Sequence, residues 1–121
     1  MTPLDVLHTF ISDFSIPMPT VILSEKVEYG VRPKKGIVVV NPKLPLHLFN
    51  KVLVHELFHE YVMHKGLKFP SVDAEEEWVS RMTDEYLQKR FYSKEFPWIP
   101  LTLTASCLLG LACLLLRGMK E

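Results

Sequence analysis

Only two cysteines occur among the 121 residues, and both, Cys107 and Cys113, lie in one apolar stretch near the C-terminus. Six residues apart, they share no helix face, so neither a disulfide framework nor a cysteine metal site is expected. No run of lysine and arginine marks a nucleic-acid track, and the formal net charge is zero. No acidic tail points to disorder, and no nucleic-acid partner is expected. The N-terminus, "MTPLDVLHTF", has neither a basic region nor an apolar run, so a secretory signal is not expected. Internal repeats and low-complexity stretches are missing too. The length suits one small domain.

What remains reads as alternating short elements. Thr2 followed by Pro3 is a helix start, and Leu4, Leu7, Ile11 and Phe14 repeat at helical spacing, which predicts a helix over about 3–14. "TVILSEK" (20–26) and "GIVVVN" (36–41) are β-branched runs expected to pair as neighbouring strands, with "EYGVRPKKG" as a turn-rich connector. A long helix is expected over about 46–65, closed by Gly66. Another is expected over about 73–92, capped by Ser71 or Asp73. The order helix, strands, helix, helix gives a small α+β domain.

The third predicted element contains "VLVHELFHEYVMH", from Val52 to His64. His55 and His59 are i and i+4, so both imidazoles lie on one face, one turn apart. Two imidazoles so placed can bind one zinc ion, and Glu56, about 100° further round, can take a proton from a water on that ion. This is the H-E-x-x-H arrangement of zinc metallopeptidases. With five histidines and ten glutamates in the chain, chance supplies about 0.02 such matches. The surrounding Val52, Leu53, Val54, Leu57, Phe58, Tyr61, Val62 and Met63 cover most of the helix circumference, so the helix is expected to be buried. Its polar groups then need partners, which an accidental polar stripe facing solvent would not.

A catalytic zinc site needs a third protein ligand. In the metzincin motif H-E-x-x-H-x-x-G-x-x-H, Val62 would have to be glycine and Lys65 histidine, which excludes that class. His64 lies almost opposite the pair and reads as a surface or capping residue. The following helix begins "AEEEW", so Glu75, Glu76 and Glu77 are the candidates. Periodicity favours Glu75, which shares a face with Trp78, Val79, Met82 and Tyr86. His8 and His47 are lone histidines. Any of His47, Tyr61, Tyr86 and Tyr92 could serve an oxyanion, although plain packing is the stronger reading for each.

Residues 36–66, "GIVVVNPKLPLHLFNKVLVHELFHEYVMHKG", together with "EEWVSRMTDEYL", resemble the strand, active-site helix and glutamate helix of gluzincin metallopeptidases. In size and pattern the chain is similar to the archaeal minigluzincins, and more distantly to HtpX-like membrane metallopeptidases and the SprT-like group. The resemblance covers roughly residues 20–92. It implies a zincin-like fold and a zinc endopeptidase with His55, His59 and Glu76 on Zn2+ and Glu56 as general base. It sets Val79, Arg81, Met82, Tyr86 and Leu87 in matching places. It also implies an extended polypeptide substrate lying along the 36–41 strand. Ser80 stands where the family carries an Asp or Asn that supports a zinc-binding histidine.

Trp98 to Leu116 is free of charge and shows no amphipathic pattern. Its length just spans a hydrocarbon core of about 30 Å, with Trp98 at one boundary and Arg117 and Lys120 at the other. The expected organisation is a metallopeptidase domain over 1–97, a transmembrane tail anchor over 98–117 and a polar tail over 118–121. With no secretory signal, the catalytic domain is expected in the cytoplasm, and Lys89, Arg90 and Lys94 before the span, which outnumber the cations after it, agree with that. Two other readings fit these features: a non-catalytic membrane-anchored zinc scaffold, or a soluble peptidase whose apolar tail packs into its own cleft.

Overall fold

A computed structural model describes residues 1–92. Three helices and a three-stranded sheet make a small α+β fold, in the order α1 (Pro3–Phe14), β1 (Thr20–Leu23), β2 (Gly30–Lys34), β3 (Ile37–Val40), α2 (Leu46–Lys65) and α3 (Val72–Leu87). A π-helical turn, Gln88–Tyr92, follows α3 where the sequence predicts a continuing helix. Met1–Thr83 form one compact unit and a second begins at Asp84. Among the described residues, no helix is long and apolar enough to cross a membrane. The expected span over 98–117, the boundary at Pro97 and both cysteines lie outside the described residues.

Local chemistry explains the element ends. Thr2 caps α1 by accepting from the Asp5 amide at 3.1 Å, and the Asp5 carboxylate accepts from the Thr2 amide at 3.3 Å. The α1 face turned inward is Val6, Leu7, Phe10 and Phe14, while Leu4 is exposed. The buried stripe is thus rotated from the expected Leu4-Leu7-Ile11-Phe14 repeat. Aromatic packing decides it: Phe10 and Phe14 each lie about 5 Å, centroid to centroid, from Phe58 of α2. Gly66 ends α2 at φ 68°, a left-handed conformation that glycine adopts without penalty. Ser71 caps α3, its hydroxyl accepting from the Ala74 amide at 3.1 Å.

The sheet order is β1-β3-β2. The two expected runs do pair, in parallel, from Thr20 opposite Ile37 to Leu23 opposite Val40. β2 was not anticipated: it forms inside the "EYGVRPKKG" connector and pairs antiparallel to β3, with a register irregularity between Val31 and Lys34. Pro33 lies in that irregular stretch, on an edge strand, where a missing amide hydrogen costs no ladder bond. Asn41 then fastens the sheet's end, its Nδ2 donating to the carbonyls of Val27 at 2.9 Å and Glu28 at 3.3 Å.

The core of the first unit joins Val38 and Val40 of β3, the aromatic and aliphatic face of α2 and the Trp78-Val79-Met82 stripe of α3. Burial on α2 extends to Asn50 and Glu60. Glu60, 1% exposed, receives the Arg32 guanidinium from β2 and the Gly36 amide at 2.9 Å. His64 Nε2 lies 3.2 Å from its other oxygen. His64 is therefore a half-buried companion of Glu60 and not the surface or capping residue expected. This cluster fixes the β2–β3 hairpin on the helix that carries His55 and His59.

Candidate metal centre

The inner face of α2 is buried through Leu53, Val54, Leu57 and Phe58, and its histidines meet the first turn of α3. The two rings lie 5.0 Å apart at their centroids. His59 is the more enclosed, its side chain 11% exposed against 25% for His55. Trp78 fastens α3 to α2: its indole stacks on Tyr61 and meets Phe58 edge-on, with Phe69 beside it. One turn N-terminal to that anchor stand Glu75 and Glu76.

Glu76 reaches both rings. Its Oε1 is 3.1 Å from His55 Nε2 and its Oε2 is 2.9 Å from His59 Nε2. Glu75 approaches the same His59 ring from the other side, with Oε2 2.8 Å from Nδ1. Periodicity and family register point to different glutamates, and both meet His59. Glu75 is the more covered, as its shared face with Trp78 and Val79 requires. Glu76 alone spans the two Nε2 atoms. Glu77 is exposed and takes no part.

His55, His59 and Glu76 form a group that could hold a metal ion, their donor atoms all within 4.8 Å of one another. Two imidazole nitrogens and one carboxylate oxygen converge among the described residues, a donor set that fits a divalent metal ion. Ser80, the position from which the resemblance would draw support for a histidine, is exposed.

Glu56 is half-buried on α2 beside this group. Burial pushes its carboxyl above the ordinary carboxylate range. The neighbouring histidines oppose that shift, Glu76 adds to it and Arg32 opposes it. A pocket of about 240 Å³ opens here, lined by Tyr29, Gly30, Val52, His55 and Glu56 among others. Gly30 allows the close approach of β2 to α2: a Cβ there would stand 2.5 Å from Val52 Cγ1 and 3.1 Å from the Val39 carbonyl oxygen.

The expected substrate edge must be corrected. β3, the 36–41 run, is the central strand, with β1 on one side and β2 on the other. Its backbone groups are committed on both sides, so no further strand can add to it. Among the described residues, β2 is the edge strand beside Glu56. Of the oxyanion candidates, Tyr61 belongs to the aromatic cluster with Phe14, Phe58 and Trp78. His47 is exposed, and Tyr86 and Tyr92 belong to the second unit. Reading the sequence missed Tyr29, Arg32 and Glu60. A lone carboxylate beside His59 on a buried helix was the available signal for Glu60, since it demanded a cation. Comparison with protein-family models, curated proteins and solved structures finds no match.

Proposed function

We propose that this chain is a minimal, gluzincin-like zinc endopeptidase, held at a membrane by residues 98–117 with its catalytic domain on the cytoplasmic side. The observation that carries the catalytic reading is the convergence of His55 Nε2, His59 Nε2 and the Glu76 carboxylate, with a half-buried Glu56 beside them. The sequence resemblance over residues 20–92 supports it.

Zinc in this site supplies Lewis acidity toward water and the scissile carbonyl. The rest of the chemistry belongs to the protein. His55 and His59 present Nε2 and Glu76 presents a carboxylate oxygen, leaving room for a reacting group. Glu56 accepts the proton of the attacking water at its carboxylate and returns it to the leaving amine nitrogen. Its partly buried setting raises its basicity, which suits a group that must both take and give a proton. An extended polypeptide adds to the outer edge of β2 by main-chain hydrogen bonds, bringing its carbonyl toward the Gly30–Glu56 pocket. A purely structural metal site has no use for Glu56.

The test joins metal content to cleavage. Purified protein never exposed to chelator should carry one zinc per chain and cut unstructured peptides. Glu56→Gln should keep the zinc and lose cleavage by about 10²-fold or more. Protein without metal above trace, or a Glu56→Gln variant as fast as the parent, defeats the reading.

A further inference from the structure

The His59 ring is held at both nitrogens, by two carboxylates from successive positions of α3. Glu76 faces Nε2 at 2.9 Å and Glu75 faces Nδ1 at 2.8 Å. Successive helical residues point about 100° apart, so they can reach one ring from two sides only if the helix end is aimed at it. Trp78, 3% exposed among Phe58, Tyr61 and Phe69, provides that aim. Glu75 is also more enclosed than its neighbour, its side chain 32% exposed against 50% for Glu76.

From this geometry we infer that Glu75 is a positioning residue for the metal centre, holding His59 in the Nδ1–H tautomer so that Nε2 presents its lone pair to the ion. This rests on the zinc reading above and adds a residue to it. A ligating imidazole must be neutral, and its proton must sit on the nitrogen that the metal does not use. A carboxylate at Nδ1 accepts that proton's hydrogen bond, orients the ring and raises the donor strength of Nε2. Glu75 has the acceptor chemistry, the distance and the anchoring for this. Ser80, exposed four residues beyond Glu76, does not occupy the place. In this chain the support precedes the ligating glutamate by one residue. Two carboxylates and a divalent ion also leave the Glu75-Glu76-metal set without net charge, so the second anion is no electrostatic burden once the ion is bound.

The experiment compares zinc affinity, by competition with a chromophoric chelator, in the parent, Glu75→Ala, Glu75→Gln, Glu76→Ala and Glu77→Ala. Long-range ¹H–¹⁵N spectra of the zinc-loaded proteins report the His59 tautomer, and circular dichroism checks folding. Glu75→Ala is expected to bind zinc 10–100-fold more weakly and to lose the protected Nδ1–H signal. Glu75→Gln, which keeps an acceptor oxygen, should recover the signal and much of the affinity. Glu76→Ala should lose more affinity than either, and Glu77→Ala should match the parent. Unchanged affinity and an unchanged Nδ1–H signal in Glu75→Ala overturn the inference, as does coordination of zinc through Nδ1. If Glu75→Ala fails to fold, Glu75→Leu, similar in size but without an acceptor, decides: an unchanged Nδ1–H signal and unchanged zinc affinity in that folded variant also overturn it. A parent protein that binds no zinc defeats the functional reading, whereas a parent that binds zinc with an indifferent Glu75 defeats this inference alone.

Discussion

Arg32 of β2 and Glu60 of α2, 28 positions apart in the chain, join the sheet to the helix that carries the two histidines. The carboxylate is 1% exposed and the Arg32 side chain 21%, so the pair is little screened by solvent. Removing one partner leaves a buried charge without its main compensation, at a typical cost of 3–5 kcal/mol. Arg32→Met should therefore destabilise the protein by about 3 kcal/mol, the Gly36 amide and His64 supplying only part of the lost compensation. Urea unfolding monitored by tryptophan fluorescence measures it, and a shift below about 0.5 kcal/mol, the range of ordinary surface changes, would contradict this account.

Gly30 should not tolerate a side chain. A Cβ would meet Val52 Cγ1 at 2.5 Å and a backbone oxygen at 3.1 Å, so β2 or the valine must move. Overpacking of this kind costs about 1–3 kcal/mol. Gly30→Ala is expected to unfold at lower urea and, because β2 borders the Glu56 pocket, to raise KM for extended peptides. Equal stability and equal KM would show that β2 sits more loosely than the structure indicates.

Trp78→Ala should cost about 3–5 kcal/mol, the range for removing a large buried aromatic. It should also weaken metal binding, since the stack on Tyr61 aims the first turn of α3. Calorimetric unfolding and chelator competition on one preparation test both effects. Loss of stability with unimpaired metal affinity would separate the anchor from the site.

In metal-free protein, Glu56 makes folding pH-dependent in a defined direction. Its folded-state carboxyl titrates above the ordinary 4.5 because burial disfavours the charge. Below 4.5 it is protonated in folded and unfolded chains alike and does not penalise folding. As pH rises through the raised value, the unfolded chain loses its proton more readily, and stability falls. Glu56→Gln should therefore match the parent near pH 4 and exceed it in stability near pH 8. Urea titrations in chelator at both pH values read the difference directly, and a parent that gains on the variant as pH rises would reverse the sign.

The sequence was most legible where a single helix carried its own chemistry. The spacing of His55, Glu56 and His59 needed only helical geometry, and Gly66 and Ser71 announced their helix ends. β2 was hidden because Val31 stands among Gly30, Arg32, Pro33 and Gly36, a composition that reads as turn. It is a strand only because β3 offers an edge and Glu60 offers Arg32 a partner, both tertiary facts. Assigning Glu75 and Glu76 was ambiguous for a related reason. Periodicity reports which residue faces inward, and here the inward seat is behind the His59 ring instead of across from both Nε2 atoms. Overlooking β2 also displaced the inferred substrate edge onto β3, whose two sides are already taken.

The edge of β2 left open among the described residues is unequal along its length. Pro33 and the exposed Lys34 occupy the end away from Gly30, where a proline beside a cation deters another strand from pairing, while the Arg32 charge is turned to Glu60. Gly30 and the 41%-exposed Val31, at the end beside Glu56, carry no such guard. Any strand added there can pair only over a short run before the proline interrupts it. If an extended peptide binds as proposed, the edge works as a ruler that limits how far the bound chain can slide.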